Sequence, residues 1–171
     1  MKTRNGVNWL DTGGSPGWIT EEPDRHPASL AEAWVEIDQE TTRLSPNTGT
    51  QERRALLQVF HAGAKATLNA FPGSASYDEF AARMATHWDE FARRFVRPHI
   101  HPKTMPVFAP EALARETEQI VEHQHGYFEA GTRAALLCLR GGISREAIAS
   151  EIQAAADAVM ARYVRQTPRS G

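Results

Sequence analysis

The stretch TQERRALLQVFHAGAKATLNAFPGSASYDEFAARMATHWDEFARRF, residues 50–95, decides the fold. Its first half places Leu57, Phe60, Ala64, Leu68 and Phe71 at intervals of three and four, the spacing that lines up side chains on one face of a helix. Pro72-Gly73 stops that helix. Ser76 and Glu79 then form a capping box that opens the next one. Its stripe runs Phe80, Met84, His87 or Trp88, Phe91 and Phe95. Two amphipathic helices joined by a tight turn bury only part of each apolar face against one another, so further helices are required.

They are found on both sides. Upstream, Ser29 and Glu32 make another capping box, and Leu30, Trp34, Ile37, Thr41 and Leu44 give a helix that Ser45-Pro46-Asn47 ends. Downstream, residues 97–110 hold Pro98, Pro102, Pro106 and Pro110, which predicts a stiff, extended connector. A long helix follows from about Glu111 to Leu139, with Gly126 and Gly131 as points of expected bending or breakage. Gly141-Gly142 closes it. Ser144 caps a last helix whose stripe is Ile148, Ile152, Ala155, Val159 and Tyr163. No segment alternates with period two for long enough to make a sheet. The expected fold is all-α: a five-helix bundle over residues 29–165, an irregular Gly/Pro/Trp arm at 1–28 and a frayed tail at 166–171.

Composition bounds the function. The chain has 171 residues, 41% of them hydrophobic, and a net charge of −2, which suits one packed domain. No apolar run approaches the ~18 residues of a membrane span, and no apolar stretch follows the first residues as a secretory signal would. Cys138 is alone, which excludes an intrachain disulfide and a cysteine-based zinc site. A cytoplasmic protein is expected, with no membrane partner. Arginine outnumbers lysine 16 to 3 and there are 26 alanines, the signature of GC-rich codons and hence of a bacterial or phage gene, such as one on a mobile element.

Histidine is the conspicuous residue, with six of seven lying between His61 and His125. Metal ligation is one use for them, since helical bundles build metal sites by projecting ligands inward. His61, His87 and His123 lie at core edges of three different helices, so they are the set that would have to converge. Glu118, Glu122, His125 and Glu129 share one helical face, and Glu122 and His125 have the Glu-x-x-His spacing of di-metal bundles. A second copy of that motif is missing, and the face lies opposite Ile120 on the helical wheel, so a solvated acidic stripe is expected there. No metal and no cofactor is expected.

His99 and His101 would point to one side of an extended connector, among Arg93, Arg94, Arg97 and Lys103. That cationic setting favours an acidic partner or a phosphate backbone over a metal ion. Arg94 and His99, and likewise Arg54 and His61, resemble the Arg-x4–6-His pattern of the all-helical HEPN ribonucleases. The resemblance implies a hydrolase that uses the central histidines. The polar residue that usually follows the arginine in that family is replaced here by Phe95 and Ala55. No other catalytic constellation is present. Trp9 and Trp18 sit in an arm too irregular to bury them, so they must pack on the bundle or on a partner. The reading that follows is a non-enzymatic binding protein that docks on a protein or an assembly through Trp9, Trp18 and the basic connector. A nucleic-acid-binding regulator using residues 93–103 and the C-terminal arginines Arg162, Arg165 and Arg169 is the further alternative, and self-association is compatible with these features.

Overall fold

The structure of the protein, a computed structural model, describes residues 27–100 and 110–166, the last four of them in backbone only. Trp9, Trp18 and nearly all of the expected arm lie outside the described residues, as do His101, Lys103 and the tail beyond Gln166. The described residues form five helices and no strand: α1 (Leu30–Leu44), α2 (Thr50–Ala70), α3 (Tyr77–Phe91), α4 (Pro110–Arg140) and α5 (Arg145–Gln166). The fold is all-α.

The expected caps form. Ser29 Oγ accepts from the Glu32 amide, and Ser76 Oγ from the Glu79 amide, each at 3.1 Å. Glu32 and Glu79 reach back to the Ala28 and Ala75 amides. Ser144 Oγ does the same service for α5 through the Ala147 amide. At the far end of α2, the guanidinium of Arg83 donates to the Ala70 carbonyl at 3.3 Å while pairing with Glu79. It thereby closes the α2–α3 turn over an edge-on Phe71–Phe80 pair. Gly142, at φ +94°, provides the left-handed residue after α4.

The centre of the fold is the contact between α2 and α4. A Cβ on Gly63 would stand 2.0 Å from the Phe128 carbonyl oxygen, and one on Gly131 would stand 1.8 Å from the Phe60 carbonyl oxygen. The two backbones therefore touch, and they do so reciprocally. Thr67 Oγ1 donates to the Gly63 carbonyl at 2.8 Å, and Thr132 Oγ1 to the Phe128 carbonyl at 3.2 Å, which ties the hydroxyls beside the crossing to backbone. Gly131 is thus no break: α4 runs unbroken for 31 residues, because the glycine is used for close approach rather than for bending. Trp34 packs on both Phe60 and Tyr127, at 5.3 and 6.2 Å. α3 meets α2 at Phe71–Phe80 and, further along, at Phe91 beside Gln58, and it meets α4 at Trp88–His125, with Arg97–Glu118 just beyond; it is antiparallel to both, so α2 and α4 run parallel. α3 returns antiparallel between them.

α1 runs against α4. Thr41 and Tyr127 share a buried 2.7 Å hydrogen bond near one end, and the Cys138 thiol lies 3.7 Å from the Pro27 carbonyl at the other. α5 grips the start of α1: the Glu151 carboxylate accepts from the Leu30 and Ala31 amides at 2.9 and 2.8 Å, a charge-assisted cap supplied from another helix. Of the α5 stripe residues whose side chains are described, Ile148 is fully buried, and Ile152, Ala155 and Val159 are half-exposed.

Three further expectations are corrected. Leu44 and Phe71, read as stripe residues, are exposed at helix ends. The chain at Arg97–His99 is a 3₁₀ turn carrying Pro98, not the start of an extended connector. Phe95 leaves the core altogether, for a reason given below.

The backbone contact makes a sharp prediction. Gly131→Ala should destabilise the protein by ~1–3 kcal/mol or more, since carbonyl and methyl cannot share the space and the helices must part. In a chain of this size that lowers the melting temperature by about 2–4 °C per kcal/mol. Gly49→Ala, where the added Cβ meets nothing within 4 Å, should leave it nearly unchanged.

Candidate docking groove

The α3 stripe changes register at its end. Ala92–Val96 is a π-helical turn, which takes more residues per turn than the α-helix before it. Trp88, Ala92 and Val96 therefore follow one another on the buried side. Phe95, which a continuous α-helix would keep on the stripe, swings outward and is 55% exposed. An aromatic row links it to the interior: Trp88 to Phe128 at 5.2 Å, Phe128 to Phe91 at 6.1 Å, and Phe91 to Phe95 at 5.2 Å. The exposed ring is the outer end of the core rather than a stray surface residue.

Two cavities meet at Phe91, Phe95 and Gln58. One, of about 380 Å³, lies between α2 and α3 and is edged by His61, Lys65, His87 and Arg94, with Ile152 and Ala156 of α5 behind. The other, of about 620 Å³, is lined by Val59, Val96, Ile100 and Ile120 and by His99. Together they form an open groove with an aromatic floor and a basic rim. Glu90 is the acid on that rim, and it faces Arg94 at 3.7 Å. The Arg94 guanidinium also sits 5.5 Å from the centre of the Phe95 ring, within cation–π range.

The residues singled out from the sequence are distributed as follows. Arg93, Arg94, Arg97 and His99 are all exposed at the end of α3. Arg97 is held in a two-pronged ion pair with Glu118 of α4, at 2.7 and 3.3 Å, so it braces α3 against α4. That pair holds the Glu118 carboxyl below, and the Arg97 guanidinium above, its ordinary range. His61 and His87 line one cavity, but His123 packs edge-on against Tyr127, on the side of α4 that meets α1. The expected solvated acidic face is a different object. His125 stacks on Trp88 at 4.8 Å and pairs with Glu129 at 3.3 Å, so this face of α4 packs on α3 while Glu122 stays exposed. The wheel placed it outward because it took Ile120 as the centre of the buried side, whereas Val121 and Phe128 hold that place. Burial pushes the Glu129 carboxyl up, and the neighbouring His125 opposes this. Among the described residues no three His, Cys, Asp or Glu side chains gather as metal ligands.

Sequence reasoning missed two features here. Nothing in the residue pattern announces the π turn, although the aromatic pair Phe91–Phe95 just before Pro98 is the segment where a helix must end. Glu151 was invisible because its role depends on a helix more than a hundred residues away.

Two titratable groups beneath the surface are shifted by burial. Burial of the Cys138 thiol pushes its pKa up to about 12, so it is not a nucleophile. Burial depresses the pKa of His61 while the Glu151 carboxylate opposes the shift. Two outcomes follow. A thiol-specific reagent at pH 8 should leave Cys138 unmodified in the native protein and react fully in denaturant. Below about pH 6.5 the unfolded chain protonates His61 more readily than the folded one does, so stability should fall as pH drops through that value. Thermal melts of His61→Gln should show a smaller loss over the same interval. Comparison with protein-family models, with curated proteins and with solved structures finds no match to this chain, so its function has to be read from the groove itself.

Proposed function

We propose that this protein is a non-enzymatic binding module that docks on a protein partner or assembly, as an inhibitor, regulator or assembly component. The observation that carries the reading is Phe95: a large aromatic ring, 55% exposed, standing between two cavities and continuous with the core. Aromatic and arginine side chains beside an open apolar recess are the common anchors of protein interfaces. Trp9 and Trp18 are proposed as a second docking element; they lie outside the described residues. The arginine and alanine content supports a bacterial or phage origin, and a cytoplasmic location is part of the same proposal. Among the described residues no helix is long and apolar enough to cross a membrane.

A hydrolase built on the central histidines is the competing reading, and the shared cavity of His61 and His87 is what favours it. It would require a nuclease or esterase activity that His61→Ala abolishes. A nucleic-acid regulator draws less support, because Arg97 is engaged by Glu118.

Phe95→Ala should leave the melting temperature nearly unchanged, since the ring is mostly exposed, and should abolish capture of the partner in a pull-down. Deletion of residues 1–26 separates the two roles of the arm. Lost capture with an unchanged melting temperature would make it a docking element. A loss of stability of several kcal/mol, the scale of buried aromatic removal (~3–5 kcal/mol each), with capture retained would make it a cover for the bundle.

A further inference from the structure

We infer that the segment this groove accepts is an acidic peptide anchored by one large apolar side chain. The inference rests on the docking reading above and adds the chemistry of the partner. The floor supplies the anchor site. Phe91 and Phe95 form a tilted pair, and the larger cavity beside them is walled by Val59, Ile100 and Ile120, with a volume of about 620 Å³. That is within the ~300–1,000 Å³ of recesses that enclose small ligands, and ample for one aromatic side chain.

The rim selects the charge. Lys65 and Arg94 are permanent cations on the smaller cavity, His61 and His87 stand beside them, and His99 edges the larger one. The opposing carboxylate, Glu90, already faces Arg94. A basic segment would meet Lys65 and Arg94 with no carboxylate left to receive it. A neutral segment would bury the anchor without using the rim. Acidic residues flanking the anchor meet complementary charge, which raises the association rate and rejects like-charged competitors.

Single-stranded nucleic acid also combines negative charge with stackable rings, but it needs a row of cations following its backbone. Among the described residues that line the two cavities the permanent cations number two, and the walls next to Phe95 are aliphatic. The observations favour the peptide.

The test uses the full-length chain and fluorescence anisotropy with short labelled peptides. One carries a tryptophan among glutamates, one replaces the glutamates by lysine, and one replaces the tryptophan by serine. A single-stranded RNA of equal length is the fourth probe. The first peptide should bind, at least ~10-fold more tightly than either control peptide and than the RNA, and the preference should shrink as salt rises. Phe95→Ala should weaken it by ~10-fold or more, and Lys65→Glu with Arg94→Glu should do so at low salt. Circular dichroism of each variant confirms that the helices persist. Equal binding of the lysine peptide, tighter binding of RNA, or affinity untouched by Phe95→Ala would overturn the inference. If no peptide binds while Phe95→Ala still abolishes partner capture, the acidic class is wrong and the docking reading stands. If capture is also unaffected, both fall.

Discussion

At the crossing of α2 and α4 there are no side chains to separate two backbones. Gly63 lies under the Phe128 carbonyl and Gly131 under the Phe60 carbonyl, so the helices approach as closely as their main chains allow. This contact dictates the order of the rest. Two helices that run parallel at contact distance need a return element between them, and α3 is that element. The end of α3 lies beside the first turns of α4, where Arg97 pairs with Glu118. The residues at the crossing are correspondingly small or hydroxylated: Ala64, Thr67, Ala130, Thr132 and Ala134 are all buried. A crossing lined by glycine, alanine and threonine gives little area per residue, but it permits dense backbone-to-backbone packing.

The larger apolar side chains are displaced to the flanks of that contact. Trp34, Phe60 and Tyr127 fill the α1 side, and Trp88, Phe91 and Phe128 fill the α3 side. On the α3 side the aromatic row outruns the space. The π turn keeps Ala92 and Val96 beneath the helix and puts the last ring of the row, Phe95, outside. The groove is therefore a by-product of the same geometry that makes the core: α2 and α4 touch at the glycines, and the interval between their N-terminal halves is filled by α3 only in part.

What the sequence made legible, and what it did not, follows from range. The helices and their starts depend on residues three or four apart, so Ser29 with Glu32, Ser76 with Glu79, and the stop at Pro72-Gly73 could be read directly. His61 and His87 could be placed at the core edges of their helices from spacing, but that these two share a cavity and His123 does not depends on how the helices dock. Gly131 was read as a weak point because a glycine's local effect is to loosen a helix; its actual partner is 71 residues away at Phe60. His125 was assigned to water because the wheel centre was taken one residue off, at Ile120 in place of Val121, and a helix face is narrow enough for that to matter. The Arg97–Glu118 and Glu151–Leu30 contacts join segments with no local relation at all.

The proposed recognition role is supported by what the fold does not need. Ala92 and Val96 already close the core at the end of α3, and Arg97 already braces that end against α4. A polar residue at position 95 would satisfy the helix equally well and would be better hydrated. The exposed ring instead contributes a contact to Phe91 on one side and to Arg94 on the other, which holds it in place without burying it. An apolar side chain that is half in solvent, flanked by two neighbours and dispensable to packing suits the second surface proposed above, because those neighbours restrict the conformations it would lose on docking. In the proposed docking, the basic residues around it would act at longer range and through the solvent, setting the sign of the charge that approaches, while the ring would set what stays.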